Sequence, residues 1–149
     1  MTKETARMPE MLDRIKAIGT SYNLAAIYVF GSRTGEIQRR AAGEHLPAEH
    51  PESDVDVGVR PPGRTRLHAR DRVRLAADLE DALGVRRVDL VMLDEADPFL
   101  ALDVIRGELL YCADKDMEAE EELYALRRAG DLAPYARERW TQILTGSGL

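Results

Sequence analysis

Asp54 and Asp56 stand two residues apart in Ser53-Asp54-Val55-Asp56-Val57. On a strand this spacing projects both carboxylates from one face. Asp89 is the only charged residue within Val88 to Leu93, so a neighbouring strand would bring a third carboxylate to the same sheet. Ionised carboxylates among buried strands are costly unless they are paired or hold a metal. Three of them on one face would repel and raise each other's pKa values unless a cation kept them ionised. Ligands made only of oxygen favour Mg²⁺ or Mn²⁺ over zinc. Taken singly, each motif also has a plain structural explanation: an Asp-x-Asp pair can end a turn, and Asp89 can pair with Arg86 or Arg87.

The apolar run Leu24 to Phe30 ends at Gly31-Ser32. A buried strand passing through Gly-Ser into a helix start aims backbone N–H groups at one spot. Glycine admits a ligand close to the backbone, and Ser32 can cap the helix or offer its hydroxyl, which together describe a phosphate cradle. A Gly-Ser turn alone is common. Followed by the Asp pair and then by an Asp on the next strand, it describes a triphosphate cradle beside a metal site.

These residues need a scaffold. Met8, Met11, Leu12, Ile15 and Ile18 follow helical spacing, with Gly19 as the expected cap. Val55, Val57 and Val59 alternate with Asp56 and Gly58 as a strand does. Leu75, Ala76, Leu79, Ala82 and Leu83 form an amphipathic helix closed by Gly84. Arg87 to Leu93 reads as a strand, and Asp97-Pro98 as an N-cap with proline at the first helical position. Leu109 to Tyr111 is a short strand, and the tail reads as two helices split at Gly130-Asp131. Residues 33–53 read as a polar loop with a short helix early in it. The order predicts an α/β or α+β sheet covered by helices.

The 149 residues allow one domain, and 21 Lys+Arg against 27 Asp+Glu give a net charge of −6. Duplex nucleic acid is a poor candidate for the main ligand, because such binders draw their affinity from neutralising phosphates. The single Cys112 excludes an internal disulfide and a cysteine-based zinc site. No apolar run resembles a signal peptide or spans a bilayer, so the expectation is a soluble cytoplasmic protein without a membrane role. His45 and His50 in the loop read as solvated rather than metal-bound, and the arginines from Arg60 to Arg74 as the wet face of a helix. The acidic run Asp114 to Glu122 suits the first turns of a helix through its dipole. Trp140 reads as a core residue of the tail.

Val29-Phe30-Gly31-Ser32-Arg33, Ser53-Asp54-Val55-Asp56-Val57 and Val88-Asp89-Leu90-Val91 resemble the minimal nucleotidyltransferases of the DNA polymerase β superfamily. Asp97-Pro98 through Tyr111 is similar to the closing helix and strand of that fold. The resemblance implies an α+β polymerase β-like fold, a mixed sheet covered by helices, over residues 1–112, with residues 113–149 as a helical extension of the same domain. It implies that Asp54 and Asp56 hold two Mg²⁺ ions (or Mn²⁺), and that Asp89 completes one shell and acts as, or orients, the base. Gly31 and Ser32 would hold the β- and γ-phosphates of ATP, and Arg33 would help neutralise them. Many relatives are antitoxins paired with a HEPN-domain RNase toxin, and some neutralise it by moving AMP onto a tyrosine. The implied function is therefore an AMP-transferring antitoxin working by two metals in a hetero-oligomer with its toxin. A binding antitoxin that only occludes the toxin, and a transferase for a small hydroxyl compound, are the alternatives. One departure from the family pattern is the 21 residues from Arg33 to Ser53, roughly twice the usual separation, which reads as an enlarged loop over residues 36–52.

Overall fold

The computed structural model describes the backbone of residues 3–44, 47–48, 50–63 and 66–145, with side chains over 10–44, 47–48, 50–63 and 66–132. Its elements run α1 (Lys3–Ser21), β1 (Ala26–Phe30), α2 (Thr34–Ala41), β2 (Val55–Arg60), α3 (Ala69–Leu83), β3 (Val88–Met92), α4 (Pro98–Ile105), β4 (Glu108–Cys112) and α5 (Lys115–Thr145). The strands form one mixed sheet in the order β3-β2-β1-β4. β1 is antiparallel to β2 and β4, while β2 and β3 are parallel and joined through α3.

The alternation in β2 divides the molecule into two layers. Val55, Val57 and Val59 turn to one face, where with Ile27 and Val29 they meet Ile15 of α1 and Leu75, Leu79 and Leu83 of α3. Ala26, Tyr28 and Phe30 turn to the other face and pack with Leu93 and Val104. Every residue of β1 is buried because helices cover both its faces, which is why it reads as a continuous apolar run instead of an alternating one.

Several boundaries follow local chemistry. Asp97 accepts hydrogen bonds from the backbone N–H groups of Phe99 and Leu100 ahead of Pro98, and Gly84 closes α3 in the left-handed conformation. Other boundaries depart from expectation. Gly19 does not cap α1, which continues to Ser21; a Cβ there would run into the Tyr111 ring, so the glycine serves close packing. The short helix expected early in residues 33–53 is α2, and it takes residues 36–41 out of the enlarged loop expected over 36–52, so that the loop proper begins after it. The tail is one helix that passes through Gly130. A mid-helix glycine costs only about 1 kcal/mol, too little to divide a helix of this length.

The second layer carries a polar staple at its centre. The buried Tyr28 hydroxyl lies 2.5 Å from a Glu118 carboxylate oxygen and 2.7 Å from one of Glu122. Burial, then these two carboxylates, push the phenol well above its ordinary pKa. The Arg60 guanidinium closes on Glu118 at 2.9 Å, and Glu121 lies 3.6 Å away. Arg60 is therefore not on the wet face of an arginine cluster, and Glu118, 3% exposed, does more than suit the helix dipole. Together they anchor α5 to the middle of β1 and the end of β2. His45 and Trp140 lie outside the residues whose side chains are described.

Candidate active site

β2 and β3 bring two of the expected carboxylates side by side. Asp56 sits opposite Asp89 in the parallel register, so their backbones are about 4.8 Å apart. On its other side Asp56 pairs with Phe30, the residue before Gly31. Gly31 has φ +81°, and the space a Cβ would need there is filled by the Asp56 carboxylate. A side chain at Gly31 would thus meet both backbone strain and a steric block. The Gly-Ser turn and Asp56, far apart in the chain, lie against each other.

Burial, then the negative charges of Asp89 and Asp54, then a hydrogen bond with Asp89, raise the Asp56 carboxyl above the ordinary aspartate range. Asp54 stands just before β2, exposed, with its carboxylate 4.0 Å from the Arg87 guanidinium. With the side chains in this arrangement, no group of three His, Cys, Asp or Glu among the described residues forms a ready metal cage. The donor set is nevertheless all carboxylate oxygen, the set a hard divalent cation takes. The perturbed Asp56 is the group whose ionised form such a cation would favour.

Ser32 is exposed at the mouth of this site. It does not cap α2: the N-cap position belongs to Arg33, with no side-chain cap, and the Thr34 hydroxyl donates back to the Gly31 carbonyl at 2.9 Å. Among the described residues, the N–H groups of Ser32 and Arg33 make no backbone–backbone hydrogen bond. Unsatisfied donors at a helix start are what an anion takes up.

Arg33 has a different set of partners from those a phosphate-binding residue would need. Its side chain is 7% exposed and donates to the Ser53 carbonyl at 2.7 Å and to Glu36 at 2.7 Å. Glu36 is shared with Arg40 at 3.5 Å. The guanidinium thus joins the residue after Gly31-Ser32 to the residue before Asp54, and it spans the whole intervening loop. Arg33 was legible as a charge near the cradle; its role as a strut was not, because a backbone carbonyl acceptor leaves no mark in a sequence. Gln38 of α2 also donates to Glu108 of β4 at 2.7 Å, which fixes the helix from its other side. His50 lies in the loop, exposed, 3.5 Å from Glu52.

Several solved structures share this architecture. A chain of a mutant MntA-HpeT toxin-antitoxin is 24% identical with a TM-score of 0.61, over 92% of this chain and 98% of that one. A chain of a toxin-antitoxin crystallised with AMP-PNP is 25% identical with a TM-score of 0.59, over 92% and 98%. A chain from the complex of tri-AMPylated Shewanella oneidensis HEPN toxin with MNT antitoxin is 22% identical with a TM-score of 0.59, over 95% and 99%. No curated protein matches the chain. Residues 13–116 match the model of the family described as Polymerase beta, Nucleotidyltransferase, a span that holds the Gly-Ser turn and all three aspartates. The chain belongs to the polymerase β nucleotidyltransferase family.

Proposed function

We propose that this chain is the nucleotidyltransferase antitoxin of a HEPN/MNT pair, and that it transfers AMP from ATP to a tyrosine hydroxyl of its HEPN toxin. The observation that carries this reading is the contact between the Gly31 turn and Asp56, with Asp89 alongside. On this reading one nucleotide would reach from the Gly31-Ser32 turn to Asp56 and Asp89. The structural likeness to chains from toxin-antitoxin complexes, one with AMP-PNP and one with an AMPylated HEPN toxin, supports the choice of nucleotide and partner.

Asp54, Asp56 and Asp89 are the residues that would hold Mg²⁺. Two such ions, when bound, stabilise the attacking and leaving oxygens of an in-line displacement at phosphorus. The chain's own groups supply the rest. The N–H groups of Ser32 and Arg33 and the Ser32 hydroxyl receive the β- and γ-phosphates. Asp89, at the opening of β3, orients the acceptor hydroxyl and takes its proton. The hydroxyl oxygen bonds to the α-phosphorus, the bond from that phosphorus to the bridging oxygen breaks, and pyrophosphate departs. Arg33 keeps the cradle and the Asp54 end of β2 in register while this happens.

An intact-mass spectrum of the cognate HEPN protein, after incubation with this chain, ATP and Mg²⁺, tests the reading. Wild type is expected to add mass in whole AMP units, and the Asp54→Ala, Asp56→Ala double variant to add none. A stable complex formed by both versions, with no mass gained, would instead establish an antitoxin that acts by occlusion.

A further inference from the structure

A groove of about 470 Å³ opens at the end of the sheet opposite the aspartates. Asp56 and Arg60 are four residues apart on β2, so the two sites are separated by about 13 Å of strand. Leu24, Pro61 and Leu93, all buried, are among its apolar lining residues. Its α5 wall presents Met117 and Tyr124, which are 64% and 58% exposed. With the groove's apolar lining they make one open apolar surface, the kind that marks an interaction site, and Met and Tyr are enriched where proteins meet. Arg128 lies over the Tyr124 ring at 5.8 Å, holding the ring in place.

The charge around the groove has one sign in excess. Asp94, Asp114, Glu118 and Glu121 line it against Arg60 and Arg128. Arg60 is already engaged with Glu118 and Glu121, which leaves Arg128 as the other positive charge in the lining. Asp94 and Asp114, both exposed, leave the lining with two more negative charges than positive ones. A complementary occupant carries an apolar anchor with Lys or Arg beside it.

We propose that this groove is a second docking site for the HEPN partner, which takes a segment bearing an apolar side chain flanked by basic residues, and that it holds the partner independently of the aspartate site. The proposal rests on the functional reading above and adds to it a division of labour. The groove supplies grip, and the far end of β2 supplies chemistry. A partner held at one end can then present its acceptor hydroxyl at the other.

Calorimetric titration of the cognate HEPN protein with variants of the full chain tests this. Met117→Asp with Tyr124→Asp is expected to weaken partner binding at least tenfold while leaving ATP affinity unchanged; both positions are exposed, so the fold tolerates them. Tyr124→Ala is expected to do the same more mildly, and Asp94→Lys to weaken binding and flatten its dependence on salt. The Asp54→Ala, Asp56→Ala variant is expected to lose the nucleotide and keep the partner. Partner binding unchanged in all groove variants would overturn the proposal alone. Absence of any complex with the wild-type chain would overturn the functional reading and the proposal with it. Self-association of the chain in sedimentation, abolished by Tyr124→Asp, would assign the groove to a second copy and also overturn it.

Discussion

Replacing Arg33 with methionine separates two roles that the sequence leaves entangled. The side chain lies beside the Gly31-Ser32 turn, yet both its terminal nitrogens are spent inside the protein, on the Ser53 carbonyl and on Glu36, each at 2.7 Å. Hydrogen bonds to charged groups contribute about 1.5–3 kcal/mol each. Two offsets reduce the loss. The Arg33 Nε is buried without a partner, and methionine removes that cost, about 1–3 kcal/mol, while filling the apolar path of the stem. Glu36 also keeps Arg40 at 3.5 Å. The net destabilisation is about 2 kcal/mol, which for a domain of this size lowers Tm by about 4–8 °C.

The assay is a thermal melt without nucleotide, paired with a measurement of ATP affinity. For a strut, the melt falls by that amount and ATP affinity drops less than about tenfold, because the cradle's own N–H groups remain. Arg33→Lys is expected to recover little of the melt, since a single ammonium cannot bridge a carbonyl and a carboxylate as the planar fork does. A melt equal to wild type, with ATP affinity down by about ten- to hundredfold, the worth of a charge-assisted phosphate contact, would refute the strut and restore Arg33 to the triphosphate.

Other expectations follow from the same geometry. Gly31→Ala meets a left-handed backbone costing about 1–2 kcal/mol and drives its Cβ into the Asp56 carboxylate, so nucleotidyl transfer is expected to vanish; a wild-type rate in a single-turnover assay would deny that contact. Asp56 has a raised folded pKa, so the folded state binds more protons than the unfolded chain, and stability falls as pH rises from the ordinary aspartate range through the folded value. Melts in EDTA are expected to show that fall, Asp56→Asn to lack it, and Mg²⁺ to offset it progressively as pH rises. Gly130→Ala lies mid-helix with open space around the new Cβ and is expected to raise Tm by about 1–4 °C, from about 0.5–1 kcal/mol; a loss of stability would mean the helix turns there.

What could be read in advance was what neighbours in the chain encode. Asp97-Pro98 announces α4 because the cap and its N–H donors lie within three residues. Asp54, Asp56 and Asp89 stand out because a charge inside an apolar run demands a reason, and the register of β2 and β3 supplied the neighbour expected for Asp56. The structure's unannounced features are long-range. Glu118 looks like an ordinary acid in the first turns of a helix until Tyr28, 90 residues earlier, and Arg60, 58 residues earlier, are folded against it. The short helix expected early after Ser32 is α2, but its extent was hidden by its polarity: of α2 only Ile37 is buried, too little to make a visible period. The continuity of α5 was hidden for the opposite reason, since glycine is a real punctuation mark whose cost a long helix can absorb.

Opposite charges stand at the two ends of one face of β2. Asp56 and Arg60 are on the same side of the strand, and each would be costly there alone. At one end the charge is left in excess, with Asp56 held beside Asp89 and Asp54, an arrangement unfavourable to the empty protein and suited to a cation. At the other end the arginine is answered by Glu118 and Glu121, so the same strand becomes a fixed post for α5. A carboxylate cluster needs a rigid frame to stay unpaired by its own neighbours. The staple of Tyr28, Arg60 and Glu118 supplies rigidity at the end away from the aspartates, and Arg33 supplies it beside them, by holding the loop exit before Asp54. Near both ends of β2 the arginines are thus held by structural partners, Arg60 by Glu118 and Arg33 by Glu36 and the Ser53 carbonyl, while Asp54 and Asp89 stay exposed.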